Sequence, residues 1–216
     1  AFDGRETAPT AMGPAYFLKA DGTPKSFWSA VNGGGSVGVP GTLAMLDLAH
    51  RMHGRHPWAT LFEPAIKHAS DGFKISQRLA ASIGWAGKKG LGDFPKAAAY
   101  FFNPDGSPKS EGSILRNPAL AETFRSIAAG GANMFYSGPI AEDIVTAVHA
   151  TADNPGRMTL DDLASYKAKI RGPVCAPYRG NEVCGMGPPS SGALTVGQIL
   201  GMLEHFDLPG IGPGPE

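Results

Sequence analysis

Only two cysteines, Cys175 and Cys184, occur among 216 residues. That is too few for a thiolate-rich metal site or a scaffold of several disulfides. No apolar run approaches the roughly 18 residues of a membrane-spanning helix. Net charge is also missing, because 19 Lys and Arg balance 19 Asp and Glu. Without a basic stripe, nucleic acid is not an expected partner. No internal repeat is evident, so a solenoid is not expected. No signal-peptide pattern opens the chain, and its first residue is Ala. It is therefore expected to be processed or a piece of something longer.

Turn-forming residues are abundant, with 30 Gly and 19 Pro. Apolar periodicity survives between them, which predicts a globular, loop-rich chain of one large or two small domains. Residues 1–40 read as extended and loop-rich. A helix is expected from Thr42 to Met52, ended by Gly54. The next is expected from Thr60, with Thr60 and Glu63 as a capping box and Pro64 in the first turn. Ser76 should cap a third, through Ile83, and residues 86–113 read as mixed. Asn117-Pro118 and Pro139 open two more helices. Thr159 and Asp162 predict a capped short helix toward Tyr166. A hairpin about Arg179-Gly180 follows, then a helix from Ser190 or Ser191 through Leu203. Residues 209–215 are expected to have no regular structure. With no regular strand–helix alternation, the class is α+β, helix-rich, with short strands near both ends.

Several motifs invite chemistry. Gly33-Gly34-Gly35-Ser36-Val37-Gly38 matches both a dinucleotide fingerprint and a nucleophile elbow. Both need a strand before and a helix directly after, and Val39-Pro40 interrupts that helix. A glycine-rich loop leading into the Thr42 helix is the better account. His50, His53 and His56 are spaced for a metal, but Gly54 breaks their helix and no carboxylate or Cys cluster completes the set. No metal or cofactor is expected. No Ser has a base suggested by the sequence, so no catalytic nucleophile is assigned within this chain. Pro188-Pro189-Ser190-Ser191-Gly192 reads either as a rigid corner or as a helix start whose amides meet an anion.

If Arg179-Gly180 forms a two-residue loop, Cys175 lies opposite Cys184. A cross-strand disulfide and two free thiols both remain open. Arg5 also has two readings. It sits between the turn pair Asp3-Gly4 and Pro9, where its planar fork suits a carboxylate. Alternatively, Arg5 and Glu6 are an exposed ion pair of little energetic value.

Ordered along the chain, these segments resemble the gamma-glutamyltranspeptidase family, specifically part of its large subunit. Asp3-Gly4-Arg5-Glu6-Thr7-Ala8-Pro9 is similar to the family's Asp-x-Arg-Glu-x-Ala-Pro segment. Gly38-Val39-Pro40-Gly41-Thr42 resembles its Gly-x-Pro-Gly-Thr/Val corner. Glu63-Pro64-Ala65, Ala69-Ser70-Asp71-Gly72-Phe73 and Phe135-Tyr136-Ser137-Gly138-Pro139-Ile140-Ala141 resemble further family segments in the expected order. So do Tyr178-Arg179-Gly180 and Pro188-Pro189-Ser190-Ser191-Gly192, although Gly187 and Ala193 stand where the family usually has Pro and Gly.

The resemblance implies the helix-rich portion of an αββα N-terminal-nucleophile hydrolase. Residues 1–216 would be a partial large-subunit region, without the family's first strands and its small subunit. A precursor would cleave itself, and the new N-terminal Thr of the small subunit would be the nucleophile. Arg5 would bind the α-carboxylate of a gamma-glutamyl group, with Glu6, Ser190, Ser191 and Gly192 structural or close to the site. The expected activity is cleavage of gamma-glutamyl amides such as glutathione and transfer to water or an amino acid. A glutaryl-type beta-lactam acylase, a poly-gamma-glutamate depolymerase and a non-catalytic binding domain are the alternatives. The small subunit is the implied partner, and the implied location is periplasmic or secreted.

Overall fold

The computed structural model describes residues 1–212 and Gly214. Its strands are Phe2–Asp3 (β1), Phe73–Lys74 (β2), Ile114–Leu115 (β3), Lys169–Ile170 (β4), Val174–Tyr178 (β5) and Asn181–Gly185 (β6). The helices are Phe27–Val31 (α1), Thr42–His53 (α2), Glu63–Asp71 (α3), Gln77–Gly87 (α4), Pro95–Phe101 (α5) and Pro118–Gly130 (α6). Asn133–Tyr136 (α7), Pro139–His149 (α8), Leu160–Ala164 (α9), Gly192–Leu203 (α10) and Leu208–Ile211 (α11) follow. The strands pair antiparallel as β1–β4, β2–β3 and β5–β6. The chain divides into two compact units, Gly4–Lys167 and the combination of residues 1–3 with 168 onward.

Within Gly4–Lys167, one core gathers Val39, Tyr136, Ala141, Val148, Met158 and Leu163. These come from the Gly38–Gly41 corner, α7, α8, the loop before α9 and α9 itself, so that corner is packed into the core. A second cluster of Ile75, Ile83 and Leu115 sits where α4 covers β2 and β3. That strand pair lies mid-chain, in addition to the pairs near the two ends.

The local signals explain most helix ends. Ser76 Oγ accepts from Leu79 N (3.2 Å) and Asn117 Oδ1 from Leu120 N (2.9 Å), so both residues cap as expected. Thr60 does not cap a helix. Residues 58–62 form a tight 3₁₀ turn in which Thr60 Oγ1 donates to the Pro57 carbonyl (2.8 Å). The α-helix therefore begins at Glu63, with Pro64 in its first turn. The stretch 1–40 is also less extended than expected, since α1 forms with Ser26 accepting from Ser29 N. Part of the tail is helical, because Asp207 caps α11. Pro213 and Pro215 lie outside the described residues.

The glycine-rich loop is structural. Gly34 and Gly35 are buried. A Cβ on Gly34 would collide with the Val148 carbonyl, and one on Gly35 with the Asn154 side chain. Asn154 is itself buried and donates to the carbonyls of Ala30 (3.0 Å) and Asn32 (2.9 Å). Ser36 Oγ donates to the Val31 carbonyl (2.6 Å), so its hydroxyl is held by backbone rather than by a catalytic base.

Asp162 is the most strongly bonded carboxylate of this unit. It completes a capping box with Thr159 at the start of α9. Its Oδ1 accepts from Thr10 N (2.9 Å) and Thr10 Oγ1 (2.6 Å). Its Oδ2 accepts from Thr159 N and Thr159 Oγ1, both at 2.9 Å. Burial acts to raise the pKa, but the bonds from Thr10 and Thr159 outweigh it and hold it at about 2.

In the other unit, β5 and β6 form a hairpin with Arg179 and Gly180 both at positive φ, 48° and 77°. Those angles describe a two-residue turn whose twist matches its strands. Tyr178 faces Asn181, Pro177 faces Glu182 and Cys175 faces Cys184. Counting outward, Pro177 and Cys175 fall on non-hydrogen-bonded pairs. Pro177 thus forfeits no ladder bond, and the two Cys approach to 4.1 Å between Cα atoms. They form a disulfide. Arg171 Nε donates to the buried Asp3 carboxylate (2.5 Å), fastening β4 to β1.

Asp162 keeps a carboxylate pKa below its unfolded value, so its stabilisation is full above about pH 4 and fades as pH falls toward 2. Asp162→Asn should therefore cost about 2 kcal/mol at pH 7. It should also flatten the acid limb between about pH 4 and 2, read from urea unfolding of the complete protein across that range. Cys175→Ser with Cys184→Ser should cost about 2–3 kcal/mol, the loop-closure value for a short bridge. Dithiothreitol should lower the unfolding midpoint of the parent protein and leave that of the double variant unchanged.

Candidate functional site

Arg5 and Glu6 both present exposed side chains, and Arg5 Nε lies 3.4 Å from Glu6 Oε1. The ion pair of the second sequence reading is therefore formed. An exposed pair of this kind contributes little to stability. What distinguishes Arg5 is the backbone beneath it, which is held on every side.

Gly4 and Gly41 meet at a separation that only glycine allows. A Cβ on Gly4 would lie 2.9 Å from the Gly41 carbonyl and 2.5 Å from Met45 Cβ. A Cβ on Gly41 would strike the Tyr166 hydroxyl and the Gly4 carbonyl. Two residues on, Val39 N donates to the Thr7 carbonyl (2.8 Å) in an antiparallel bridge between Thr7 and Val39. Tyr166 Oη then donates to the Arg5 carbonyl itself (2.7 Å).

Tyr166 is in turn placed by Tyr136. The rings stack nearly parallel, at 7° and 6.0 Å between centroids. Tyr136 is buried; its hydroxyl donates to the Pro40 carbonyl (2.8 Å) and accepts from Ala44 N (3.1 Å). Burial pushes the Tyr136 pKa up, against the opposing pull of the Ala44 amide, so the phenol stays neutral and able to donate. Asp162 holds the far end of the segment at Thr10. The result is a guanidinium on a rigid base. Such an Arg loses less freedom when it takes up a planar anion in two parallel hydrogen bonds.

Ser190, Ser191 and Gly192 belong to the other unit, apart from Arg5 and Glu6 in the division of the chain. The strand-to-helix corner there is closed by Ser190 N donating to the Gly187 carbonyl (3.1 Å) and Ala193 N to the Met186 carbonyl (3.2 Å). Ser191 occupies the cap position of α10 but makes no side-chain capping bond, because its backbone is already helical. Ser190 instead accepts from Gly192 N (3.2 Å). Of the two serines expected to start the helix, Ser190 meets its first amide and Ser191 does not.

The histidines do not assemble a metal site. Gly54 ends α2, and His50 Nε2 bonds the His56 carbonyl (2.8 Å) while its ring packs on Trp58. Among the described residues, Cys175, Glu182 and Cys184 come close enough to share a cation. The sulfurs are joined in the disulfide and offer no thiolate. No helix of the described residues is long and apolar enough to cross a membrane.

The sequence singles out Arg5 as a candidate but gives no sign of the residues that hold its backbone. Tyr136 and Tyr166 carry no sequence signal of their long-range bonds. Asp162 had one, its spacing from Thr159, which revealed the cap and not the bond to Thr10.

The family model described as Gamma-glutamyltranspeptidase matches residues 1–214. The glutathione hydrolase proenzyme of Escherichia coli K12 is 38% identical over 214 residues, covering 99% of this chain and 36% of that protein. Glutathione hydrolase 2 of Arabidopsis thaliana is 36% identical over 215 residues, covering 100% of this chain and 35% of that protein. The chain therefore spans about a third of the length of these curated relatives. Among solved structures, the Helicobacter pylori gamma-glutamyltranspeptidase superposes with a TM-score of 0.90 at 36% identity, covering 99% of this chain and 60% of that one. A match along essentially the whole chain, in sequence and in backbone, leaves one conclusion: this chain belongs to the gamma-glutamyltranspeptidase family.

Proposed function

We propose that this chain is part of an enzyme that cleaves gamma-glutamyl amides such as glutathione and passes the gamma-glutamyl group to water or an amino acid. The observation that carries the reading is the exposed Arg5 guanidinium on an immobilised backbone. Relatives named glutathione hydrolase at 36–38% identity support the substrate class. In this proposal Arg5 takes the α-carboxylate of the gamma-glutamyl group in a bidentate grip. Glu6 holds the guanidinium from its Nε side. Ser190, Ser191 and Gly192 shape the strand-to-helix corner of the other unit.

The nucleophile is proposed to be the N-terminal Thr of a small subunit made from the same precursor. Its hydroxyl attacks the gamma-amide carbonyl while its own amine takes the proton. The proton passes to the departing amine, leaving an ester. Water or an amino acid then attacks that ester and frees the Thr hydroxyl. Arg5 fixes the donor so that the carbonyl meets the hydroxyl in one orientation. A periplasmic or secreted location is part of the proposal, and the Cys175–Cys184 disulfide supports an oxidising compartment.

In the complete protein, Arg5→Ala should raise KM for a gamma-glutamyl anilide about 10- to 100-fold, the cost of a charge-assisted bidentate contact. Arg5→Lys should recover little of this, since an ammonium cannot reproduce the fork. An unchanged KM in Arg5→Ala would refute the role. Tyr166→Phe, which removes the hydroxyl that bonds the Arg5 carbonyl, should raise KM about fivefold, the worth of one neutral hydrogen bond, with kcat nearly unchanged.

A further inference from the structure

A second cationic site lies away from Arg5 in sequence, in an open cavity of about 710 Å³ lined by Tyr16, Lys25, Asp153 and Arg157 among others. Lys25 Nζ stands 5.7 Å from the Tyr16 ring centroid, and Arg157 Cζ stands 5.4 Å from it. One ring thus collects two cations. Neither cation forms an ion pair among the described residues, whose pairs lie elsewhere. Lys25 is half-buried as a residue. A ring face attracts a cation but does not neutralise it.

Both walls are rigid. Lys25 sits on a small hairpin in which Lys25 N donates to the Phe17 carbonyl (2.9 Å) and Lys19 N to the Thr23 carbonyl (2.7 Å). Asp21 closes that turn by accepting from Thr23 N and Thr23 Oγ1. Arg157 follows the loop that buried Asn154 fastens to the Ala30 and Asn32 carbonyls. Gly156 permits that loop to lie against Gly34, where a Cβ would collide with the Gly34 carbonyl. Tyr16 Oη joins the two walls by donating to the Pro155 carbonyl (3.3 Å). Both cations thus line one cavity on rigid supports, where an anion that entered would meet two positive charges.

We propose that Lys25, Arg157 and Tyr16 form a binding site for a small anion bearing a carboxylate or phosphate group. The Arg157 fork takes two oxygens, Lys25 contributes a point charge, and the Tyr16 ring supplies an apolar floor. Asp153 lines the same cavity and leaves it with one net positive charge, which favours a singly charged group over a polyanion.

The test uses the complete protein carrying Arg5→Ala, so that binding at Arg5 is not counted and the two proposals fail separately. Inorganic phosphate, as its monoanion at about pH 6, and acetate are titrated calorimetrically at low ionic strength. Saturable binding of either is expected, and the tighter probe identifies the group recognised. Lys25→Gln and Arg157→Gln should each weaken it about tenfold, and added salt should weaken it further. Asp153→Asn should tighten it. Should a variant fail to fold, phenylglyoxal labelling of Arg157 in the parent protein gives an independent readout by mass spectrometry. The tighter probe should slow that labelling. No saturable binding, equal binding in the Lys25 and Arg157 variants, or unprotected Arg157 would each overturn the proposal.

Discussion

The close approach of Gly4 to Gly41 is the constraint on which the arrangement around Arg5 depends. Two backbones meet where a single Cβ would not fit. That contact brings the Arg5 carbonyl within reach of the Tyr166 hydroxyl. It also lets the Thr7–Val39 bridge form. Val39 is buried in the main core, so the segment carrying Arg5 inherits the rigidity of that core. The chain of support runs from packed side chains, through two stacked tyrosines, to one exposed guanidinium.

Hydrogen bonding is concentrated on the same segment. Asp162 accepts four bonds from two threonines 149 positions apart, Thr10 and Thr159. A buried carboxylate with that many donors is stabilised in its charged form, and it ties α9 to the loop after Arg5. Tyr136 does the equivalent for the Gly38–Gly41 corner, bonding Pro40 and the start of α2 together. Among the described residues no buried side-chain N or O lacks a hydrogen-bond partner. The polar groups that leave water around Arg5 are thus paid for by specific donors and acceptors.

Much of this was legible in the sequence wherever a short-range rule applied. Ser76, Asn117 and Thr159 each cap a helix because a side-chain oxygen meets an amide two or three residues on. Arg179-Gly180 set the hairpin register, and the register alone put Cys175 opposite Cys184. Thr60 failed because its hydroxyl had a nearer acceptor in the Pro57 carbonyl, which favours a 3₁₀ turn over a capped helix. Of Ser190 and Ser191, the earlier one meets the first amide of α10, because Ser191 already has helical backbone angles. The glycine-rich loop matched two famous motifs by letter. Its glycines are instead required by the Val148 carbonyl and the Asn154 side chain, partners more than a hundred residues away.

By itself, the amino-acid sequence determined the helix boundaries set by caps and prolines, the hairpin register, and the family through motifs kept in order. It also singled out Arg5 by residue type, since only a planar fork grips a carboxylate in two bonds. Tertiary structure decided whether that Arg stands on a loose loop or a fixed base. It decided the pairing of Tyr166 with Arg5, of Asp162 with Thr10, and of Arg157 with the Tyr16 ring. The physical reason is range. Capping and turn preferences act over a few residues and leave a local mark, whereas these contacts join positions more than a hundred residues apart and exist only once the core has brought them together.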